Sequence, residues 1–174
     1  MSLAHEIITD ESTPLDYEDI SKMLSGRVKG MRLGFVDLET VKTYTMETFL
    51  PHHRNCCAVL LTAGFGNRVQ RHWSVLIRNN KGLFFWESLG LGPAMLNKVV
   101  GNKNFLNLLQ RHRAHINSHQ LQRESKKIRT CGLHITVRIS KFGMTNRQYN
   151  NWLTTLKLPA DETVALLTYL GHHT

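Results

Sequence analysis

The sequence predicts a single α+β domain over residues 1–174, built on a central mixed β-sheet flanked by helices. Its 174 residues suit one domain, and no internal repeat, low-complexity tract or Pro/Ser-rich linker divides the chain. After a first helix, short apolar runs rich in β-branched and aromatic residues predict strands, and helical patterns dominate the remainder. Strands followed mostly by helices are typical of the α+β class.

The first predicted element is a helix over residues 15–24. Thr13 can cap its N-terminus and Pro14 suits the first helical position. Acidic residues occupy the first turns, where they interact favourably with the helix dipole. Gly26 follows and predicts the end of the helix.

Three strands are predicted in the middle of the chain. The run Cys56–Thr62 is short and apolar, as expected for a buried strand, and a loop is predicted over Ala63–Arg71. Two further strands, His72–Arg78 and Leu83–Trp86, are separated by Asn79–Gly82, whose Asn and Gly residues favour a turn. These two strands are therefore predicted to form a hairpin.

The second half of the chain is predicted to be mostly helical. Helices are predicted at residues 94–100, 105–113, 146–156 (after a capping box that starts at Thr145) and 160–170, and a strand at 116–122. The run Cys131–Ile139 is ambiguous, because it is rich in β-branched residues and is also compatible with a buried helix.

Charge is distributed unevenly along the chain. Residues 1–51 hold five Lys/Arg and nine acids (5 − 9 = −4), whereas residues 52–174 hold seventeen Lys/Arg and four acids (17 − 4 = +13). Between Lys98 and Lys141, ten Lys/Arg are accompanied by one acid, Glu124. This excess predicts contact with a polyanion, most simply DNA or another nucleic acid; a basic surface without a specific partner fits the charge equally well.

Hydropathy and cysteine content argue against several classes of protein. No apolar run approaches the roughly 20 residues of a membrane span, so no membrane partner is expected. The first residues do not resemble a secretory signal. Three cysteines, two of them adjacent, argue against a disulfide framework and for a reducing compartment, and they leave Cys131 to be explained.

Cys131 is a candidate nucleophile. It lies where a basic, polar loop meets an apolar run, and a helix that began there would place the thiol at its N-terminus. The exposed N–H groups, the helix dipole and the charges of Lys126, Lys127 and Arg129 would then favour the thiolate over the thiol. A buried structural cysteine is the alternative interpretation.

A base and an acid are candidates at the open ends of the predicted hairpin. His72 begins an apolar strand, and Glu87, one of four acids after residue 51, follows Phe84–Trp86. An acid beside three aromatic residues needs a partner, because an unpaired buried charge is costly. The hairpin would bring Glu87 to His72, where the carboxylate could fix the imidazole tautomer. The alternatives are a structural histidine and an exposed acid at a strand end.

A side-chain amide is the fourth candidate. Gln122 lies nine positions before Cys131 (131 − 122 = 9) in a polar segment. Its amide could donate to a developing oxyanion alongside the N–H groups of the nucleophile turn. Gln120 is an alternative donor in the same segment.

A zinc site is a less favoured interpretation of another cluster. His52, His53, Cys56 and Cys57 are ligand types that zinc prefers. Adjacent residues of a strand point to opposite faces, however, so both cysteines could hardly bind one ion.

The ordered motifs resemble those of the adenovirus endopeptidase (adenain) family. They are His72-Trp73, the aromatic and acidic segment Phe85–Gly90, Gln122, and Thr130–Leu133 around the cysteine. That family has His-Trp, Phe-Glu-Pro-Phe-Gly, Gln and Ala-Cys-Gly-Leu in the same order. The strand at Cys56–Ala63 is also similar, and the match covers residues 33–140 approximately.

The resemblance implies a papain-like cysteine protease fold with a permuted chain order. Cys131 would attack a peptide carbonyl, His72 would act as base and then acid, Glu87 would orient His72, and Gln122 would help to form the oxyanion hole. The implied substrates are viral capsid and core precursors, cut after small residues such as Gly during virion maturation. The implied location is the virion and the host cell interior, nucleus or cytoplasm.

The resemblance also bears on cofactors and on other functions. It implies no required cofactor, with DNA as a candidate activator, and no counterpart is found for the cysteine that joins adenain to its activating peptide. The stretch between Gln122 and Cys131 is longer than the family pattern. SUMO-specific proteases share the order of site residues but usually use Asp, so a deconjugating isopeptidase is one alternative function. A non-enzymatic, basic nucleic-acid-binding protein is the other.

Overall fold

The computed structural model describes residues 14–124 and 129–173. In chain order the helices and strands are α1 Tyr17–Leu24, β1 Leu33–Asp37, α2 Met46–Phe49, β2 Cys56–Phe65, β3 Arg68–Asn79, β4 Gly82–Glu87, α3 Gly92–Val99, α4 Lys103–Arg111, β5 His115–Ile116, α5 Cys131–Ser140, α6 Asn146–Thr154 and α7 Ala160–His173. The strands form one five-stranded sheet in the order β1-β2-β3-β4-β5. The predicted α+β class is confirmed.

The sheet is mixed, as predicted. Its centre is an antiparallel meander of β2, β3 and β4, and each edge adds a parallel strand, β1 beside β2 and β5 beside β4. The predicted hairpin is present, with Asn79 paired to Gly82 at its turn and Ser74 paired to Glu87 near its open end. Gly82 has φ of +139°, a conformation that side chains disfavour, which explains a glycine at this turn.

The prediction of a loop over Ala63–Arg71 is wrong. The strand β2 continues to Phe65 and β3 begins at Arg68, so the two join through a tight turn in which Gly66 has a positive φ of 60°. The first four residues of β3 are all exposed, and three of them are polar, so they show no alternation of apolar and polar residues. Backbone pairing alone extends the hairpin here, and hydrophobic periodicity does not report it.

Two hydrophobic cores lie on opposite faces of the sheet. Helices α1, α5, α6 and α7 cover one face and helices α2, α3 and α4 cover the other. Alternation along each strand divides neighbours between the cores: Trp86 lies in the first and Phe85 in the second. This double coverage explains why the buried parts of the central strands are largely apolar on both faces.

The ambiguous run after residue 130 is the helix α5. Eight consecutive residues, Gly132–Ile139, are buried, because this helix packs between the sheet and helices α1 and α7. Full burial removes the amphipathic stripe by which a helix is normally recognised. The β-branched residues in the run therefore misleadingly suggest a strand.

Helix ends agree with most of the local signals. The capping box of α6 is formed by Thr145 and Gln148, as predicted. Helix α1 is capped by Asp16 with Asp19 rather than by the predicted Thr13, which lies outside the described residues. Gly26 follows the end of α1 with φ of +71°, as expected for a helix stop.

The strand predicted over residues 116–122 is present only as His115–Ile116. The residues after it follow the end of β4 without continuous pairing: Asn117 donates its N–H to the Phe85 carbonyl, and Leu121 and Gln122 both donate to Ser88. The segment is thus irregular and fixed to the strand end that carries Glu87.

No helix of residues 14–124 and 129–173 is both long enough and apolar enough to cross a bilayer.

Candidate active site

His72 and Glu87 are in contact at the open end of the β3–β4 hairpin. Ser74 pairs with Glu87, and His72 comes two residues before Ser74 on β3. His72 therefore lies on the same face of the sheet as Glu87 and diagonally opposite it. The distance between His72 Nε2 and Glu87 Oε2 is 2.9 Å. Both side chains are almost completely buried, with 3% and 1% of their surface exposed.

The Glu87 carboxylate is held by backbone N–H groups as well as by His72. Oε2 also accepts a hydrogen bond from the Leu89 N–H at 2.7 Å, and Oε1 accepts one from Leu91 at 2.6 Å. The chain thus wraps round its own acid directly after β4. A carboxylate with three donors has a fixed orientation, so it can fix the ring of His72 in turn.

Cys131 is the first residue of α5, with its sulfur directed to His72. The thiol is half-buried and hydrogen-bonded to the His72 ring, and the N–H groups of Trp73 and Gly132 also donate to the sulfur. Burial acts to raise the pKa of Cys131, but the bonds to His72 and to the two N–H groups lower it below its ordinary value. The start of a helix adds a favourable dipole for the thiolate.

The pKa of His72 is shifted in the opposite direction. Burial acts to lower it, and hydrogen bonds to Cys131 and Glu87 outweigh burial and raise it. Because Nε2 faces Glu87, Nδ1 is the ring nitrogen that remains for Cys131. A thiol with a lowered pKa beside an imidazole with a raised pKa favours the thiolate–imidazolium pair.

A pocket of about 470 Å³ opens beside Cys131. Apolar side chains dominate its lining, among them Tyr17, Phe35, Leu60 and Trp73. Its wall includes the segment before α1, whose Leu15 carbonyl accepts a hydrogen bond from the Trp73 indole at 2.8 Å. The half-buried sulfur is thus reached from a space that could hold an apolar side chain.

Gly132 lets this segment approach the nucleophile turn. A Cβ atom on Gly132 would lie 2.9 Å from the Cβ of Leu15, closer than packed side chains allow. The glycine that follows the cysteine is therefore required by the packing of Leu15 on the start of α5.

Gln122 is buried, whereas Gln120 is exposed and donates its amide to the Gln122 carbonyl. The side-chain Oε1 of Gln122 accepts a hydrogen bond of 2.6 Å from the Ser88 hydroxyl. With its oxygen on the Ser88 hydroxyl, the amide of Gln122 has its NH₂ group left for donation elsewhere. The side chain and the backbone N–H of Gln122 are both hydrogen-bonded to Ser88, the residue after Glu87, and not to the sulfur of Cys131.

A second buried polar cluster lies behind Cys131. Asp161, on α7, accepts hydrogen bonds from Thr130, His134 and Arg123. Sequence reasoning assigned no role to Asp161 or His134. The available signal is His134 itself, a polar residue inside an apolar run, and an acid two residues after a proline resembles an ordinary first-turn acid.

The other two cysteines are placed for packing. Cys56 and Cys57 are fully buried in different cores, and burial raises the pKa of each to about 12. They therefore point to opposite faces of the sheet and cannot jointly bind a zinc ion. Across residues 14–124 and 129–173, no three His, Cys, Asp or Glu side chains are grouped so that they could hold a metal.

Comparison of this chain with protein-family models, with curated proteins and with solved structures finds no match.

Proposed function

We propose that the protein is a cysteine endopeptidase in which Cys131 is the nucleophile and His72 the general base. The observation that carries this proposal is the contact of one buried imidazole with both a carboxylate and a thiol at a helix start. A structural cysteine needs no base, and a structural ion pair needs no half-buried sulfur beside a pocket.

The proposed chemistry proceeds through an acyl-enzyme. The Cys131 thiolate attacks the peptide carbonyl carbon, and the resulting tetrahedral intermediate breaks its C–N bond as His72 gives a proton from Nδ1 to the leaving amine. Water then attacks the thioester while His72 takes up a proton. The C–S bond breaks, which releases the new carboxylate and regenerates the thiolate–imidazolium pair.

Glu87 and Gln122 are proposed to support these steps. Glu87 accepts a hydrogen bond from the N–H at Nε2 of His72. Nδ1 therefore stays directed at the sulfur in both protonation states of the ring. Gln122, with its oxygen fixed by Ser88, is proposed to donate its amide to the oxyanion. The free N–H groups at the start of α5 would be the other donors.

We further propose an adenain-type, papain-like architecture for the domain. Support comes from the chain order, in which the histidine, acid, glutamine and cysteine occur at 72, 87, 122 and 131, and from a nucleophile at the start of a buried helix packed on the sheet. The proposed substrates are structural precursors of a virus or virus-like element, and the proposed location is the virion and the host cell interior.

Non-specific DNA binding is proposed as an accessory property. Of the ten cations between Lys98 and Lys141, Lys126 and Lys127 lie outside the described residues. Six of the other eight are exposed: Lys98, Lys103, Arg111, Arg113, Arg123 and Arg129. Arg138 is fully buried, donates to the carbonyls of Lys141 and Met144, and cannot reach a phosphate. Binding should weaken steeply with salt, because each phosphate contact releases counterions.

Titration of labelled duplex DNA at two salt concentrations tests the DNA proposal. Affinity that falls with salt, together with faster cleavage of DNA-bound substrates, supports it. No binding at low salt, or binding insensitive to salt, removes DNA as a partner and activator and leaves the peptidase proposal intact.

A thiol-directed peptide probe tests the peptidase proposal. We expect one covalent adduct, mapped to Cys131, in the native protein and none in Cys131→Ala. Cys56→Ala is the matched control: its thiol is buried with a raised pKa, so labelling and peptide hydrolysis should both persist. Hydrolysis that survives in Cys131→Ala rejects the proposal. Cleavage of ubiquitin-like conjugates but not of unmodified polypeptides would instead identify an isopeptidase.

A further inference from the structure

Asp161 is the carboxylate at the centre of the buried polar cluster behind Cys131. Its side chain is 1% exposed and receives four hydrogen bonds. Oδ1 accepts from the Thr130 hydroxyl and from His134 Nε2 at 3.0 Å, and Oδ2 accepts from the N–H and Nε of Arg123 at 2.9 and 3.2 Å. Burial of a charge is costly, so four donors on one carboxylate indicate an arrangement that depends on that charge.

The four donors stand next to residues of the proposed active site. Thr130 directly precedes Cys131, and Arg123 directly follows Gln122. One carboxylate on α7 therefore fastens both the turn that carries the nucleophile and the segment that carries the proposed oxyanion donor. His134 lies one turn after Cys131 on α5 and makes the third attachment.

His134 supports Asp161 without competing with His72. Burial lowers the pKa of His134 more than the contact with Asp161 raises it, which favours the neutral form of the ring. A neutral ring that donates from Nε2 has a bare Nδ1, and this atom has no hydrogen-bond partner among the described residues. The His134 ring therefore acts as a donor to Asp161 and carries no charge toward the thiolate.

Thr130 occupies the N-cap position of α5 but makes no side-chain cap. A threonine there normally accepts a hydrogen bond from an N–H group of the first turn. Here its hydroxyl donates to Asp161 instead. The first N–H groups of α5 consequently remain available, and one of them, that of Gly132, donates to the Cys131 sulfur.

We propose that Asp161 is a positioning residue for the peptidase site, an inference that rests on the proposed function. Its carboxylate holds the Thr130–Cys131 turn and the Gln122–Arg123 segment in one fixed relation. The nucleophile and the oxyanion donors thus keep their spacing when the tetrahedral intermediate forms. Displacement of a reacting group by about 1 Å can cost on the order of 10²-fold in rate, so such a clamp affects turnover.

Asp161→Asn tests the proposal by a comparison of turnover with thiol reactivity. We expect kcat to fall about 10- to 100-fold with KM within about twofold of wild type. The rate at which iodoacetamide alkylates Cys131 should stay within about twofold, because a small reagent needs the thiolate but no oxyanion donors. A purely structural role would instead lower the apparent kcat and the folded-state amplitude of alkylation by the same factor, that of the folded fraction, with KM unchanged.

A pair of threonine variants keeps the test valid if Asp161→Asn does not fold. Thr130→Val removes the hydroxyl bonded to Asp161 and preserves the side-chain shape. Thr163→Val removes a buried hydroxyl on α7, the helix of Asp161, whose hydrogen bonds run to the carbonyls of Leu158 and Pro159. We expect Thr130→Val to lower kcat at least tenfold relative to Thr163→Val, and Thr130→Ser to restore it.

The possible results separate the two proposals. Equal kcat in Thr130→Val and Thr163→Val, or an unchanged kcat in Asp161→Asn, overturns the positioning role and leaves the peptidase intact. Peptide hydrolysis that is absent from the wild-type protein, or unaffected by Cys131→Ala, overturns both.

Discussion

Two buried histidines of this molecule each face a carboxylate at nearly the same distance, yet their pKa values are shifted in opposite directions. The His72–Glu87 and His134–Asp161 contacts are 2.9 and 3.0 Å long, and all four side chains are buried. The pKa of His72 is raised and that of His134 is lowered. Contact with a carboxylate is therefore not what defines a base here.

The difference lies in the second nitrogen of each ring. His72 meets Cys131 there, and the pair gains stability when the proton moves from sulfur to imidazole. His134 has no described partner at Nδ1, and its carboxylate is already neutralised by Arg123 and bonded to Thr130. The proposed function assigns proton exchange with the thiol to the first pair, and the proposed positioning role assigns the second pair to holding the chain in place.

Glutamine substitutions of the two histidines should give the largest contrast. Gln can place an amide near the position of Nε2 but cannot shuttle a proton. We expect His72→Gln to lower kcat/KM about 10³- to 10⁴-fold, and His134→Gln, which keeps a donor for Asp161, to lower it less than about tenfold. Steady-state peptide hydrolysis measures both. Similar losses in the two variants would mean that the pairs have the same role.

Glu87→Gln should have the next largest effect. The amide would direct N–H at the backbone donors of Leu89 or Leu91, or at His72, so the ring would lose its fixed tautomer. We expect kcat to fall on the order of 10²-fold with KM little changed. An unchanged kcat, with the variant folded by circular dichroism, would restrict Glu87 to a structural role.

The pH dependence of thiol alkylation should distinguish the pairs without any substrate. In the wild-type protein the pKa of Cys131 is lowered, so thiolate persists, and alkylation continues, at pH values below the ordinary thiol pKa of about 8.5. In His72→Gln only burial and the N–H donors remain, and the half-maximal pH should rise. In His134→Gln the profile should stay in place; a shift as large as that of His72→Gln would contradict the distinction.

Acid stability should show the smallest difference. The pKa of His134 is lower in the folded state than in the unfolded chain, so on acidification the unfolded chain binds the proton at a higher pH. The free energy of unfolding therefore falls as the pH drops from about 6.5 toward the folded-state pKa. His134→Gln should remove a loss of up to about 1.4 kcal/mol per pH unit in that window. Urea unfolding at pH 7.5 and 5.5 measures it. If the free energy of unfolding has the same pH dependence in wild type and variant, His134 is not neutral in the folded protein.

The contacts that sequence reasoning could predict are the local ones. The turn at Asn79–Gly82 predicts the hairpin, and the hairpin predicts that His72 meets Glu87, 15 residues away. The start of a helix at Cys131 was one of two predicted possibilities, because a fully buried helix has no polar face to reveal its period. The three central strands and most of the helices follow from the same periodic patterns, whereas β1 and α2 were not predicted.

The contacts that sequence reasoning missed join distant segments. Asp161 is 31 residues from Thr130 and 38 from Arg123, and no local pattern distinguishes it from the half-buried acid Glu162 beside it. Arg138 was counted among surface cations, yet it is buried beneath Tyr149, because its donors find carbonyls at the end of α5. Only tertiary packing decides which polar side chains turn inward.

The spacing of these contacts along the chain also sets an order of assembly. His72 and Glu87 close a loop of 15 residues through a tight hairpin, a process of microseconds, whereas Cys131 is 59 residues beyond His72 (131 − 72 = 59). Contacts of long sequence separation form later, since their loop-closure entropy must be overcome first. We expect a folding chain to bring His72 and Glu87 together before Cys131 is anchored, so the proposed peptidase activity would be acquired only at the end of folding.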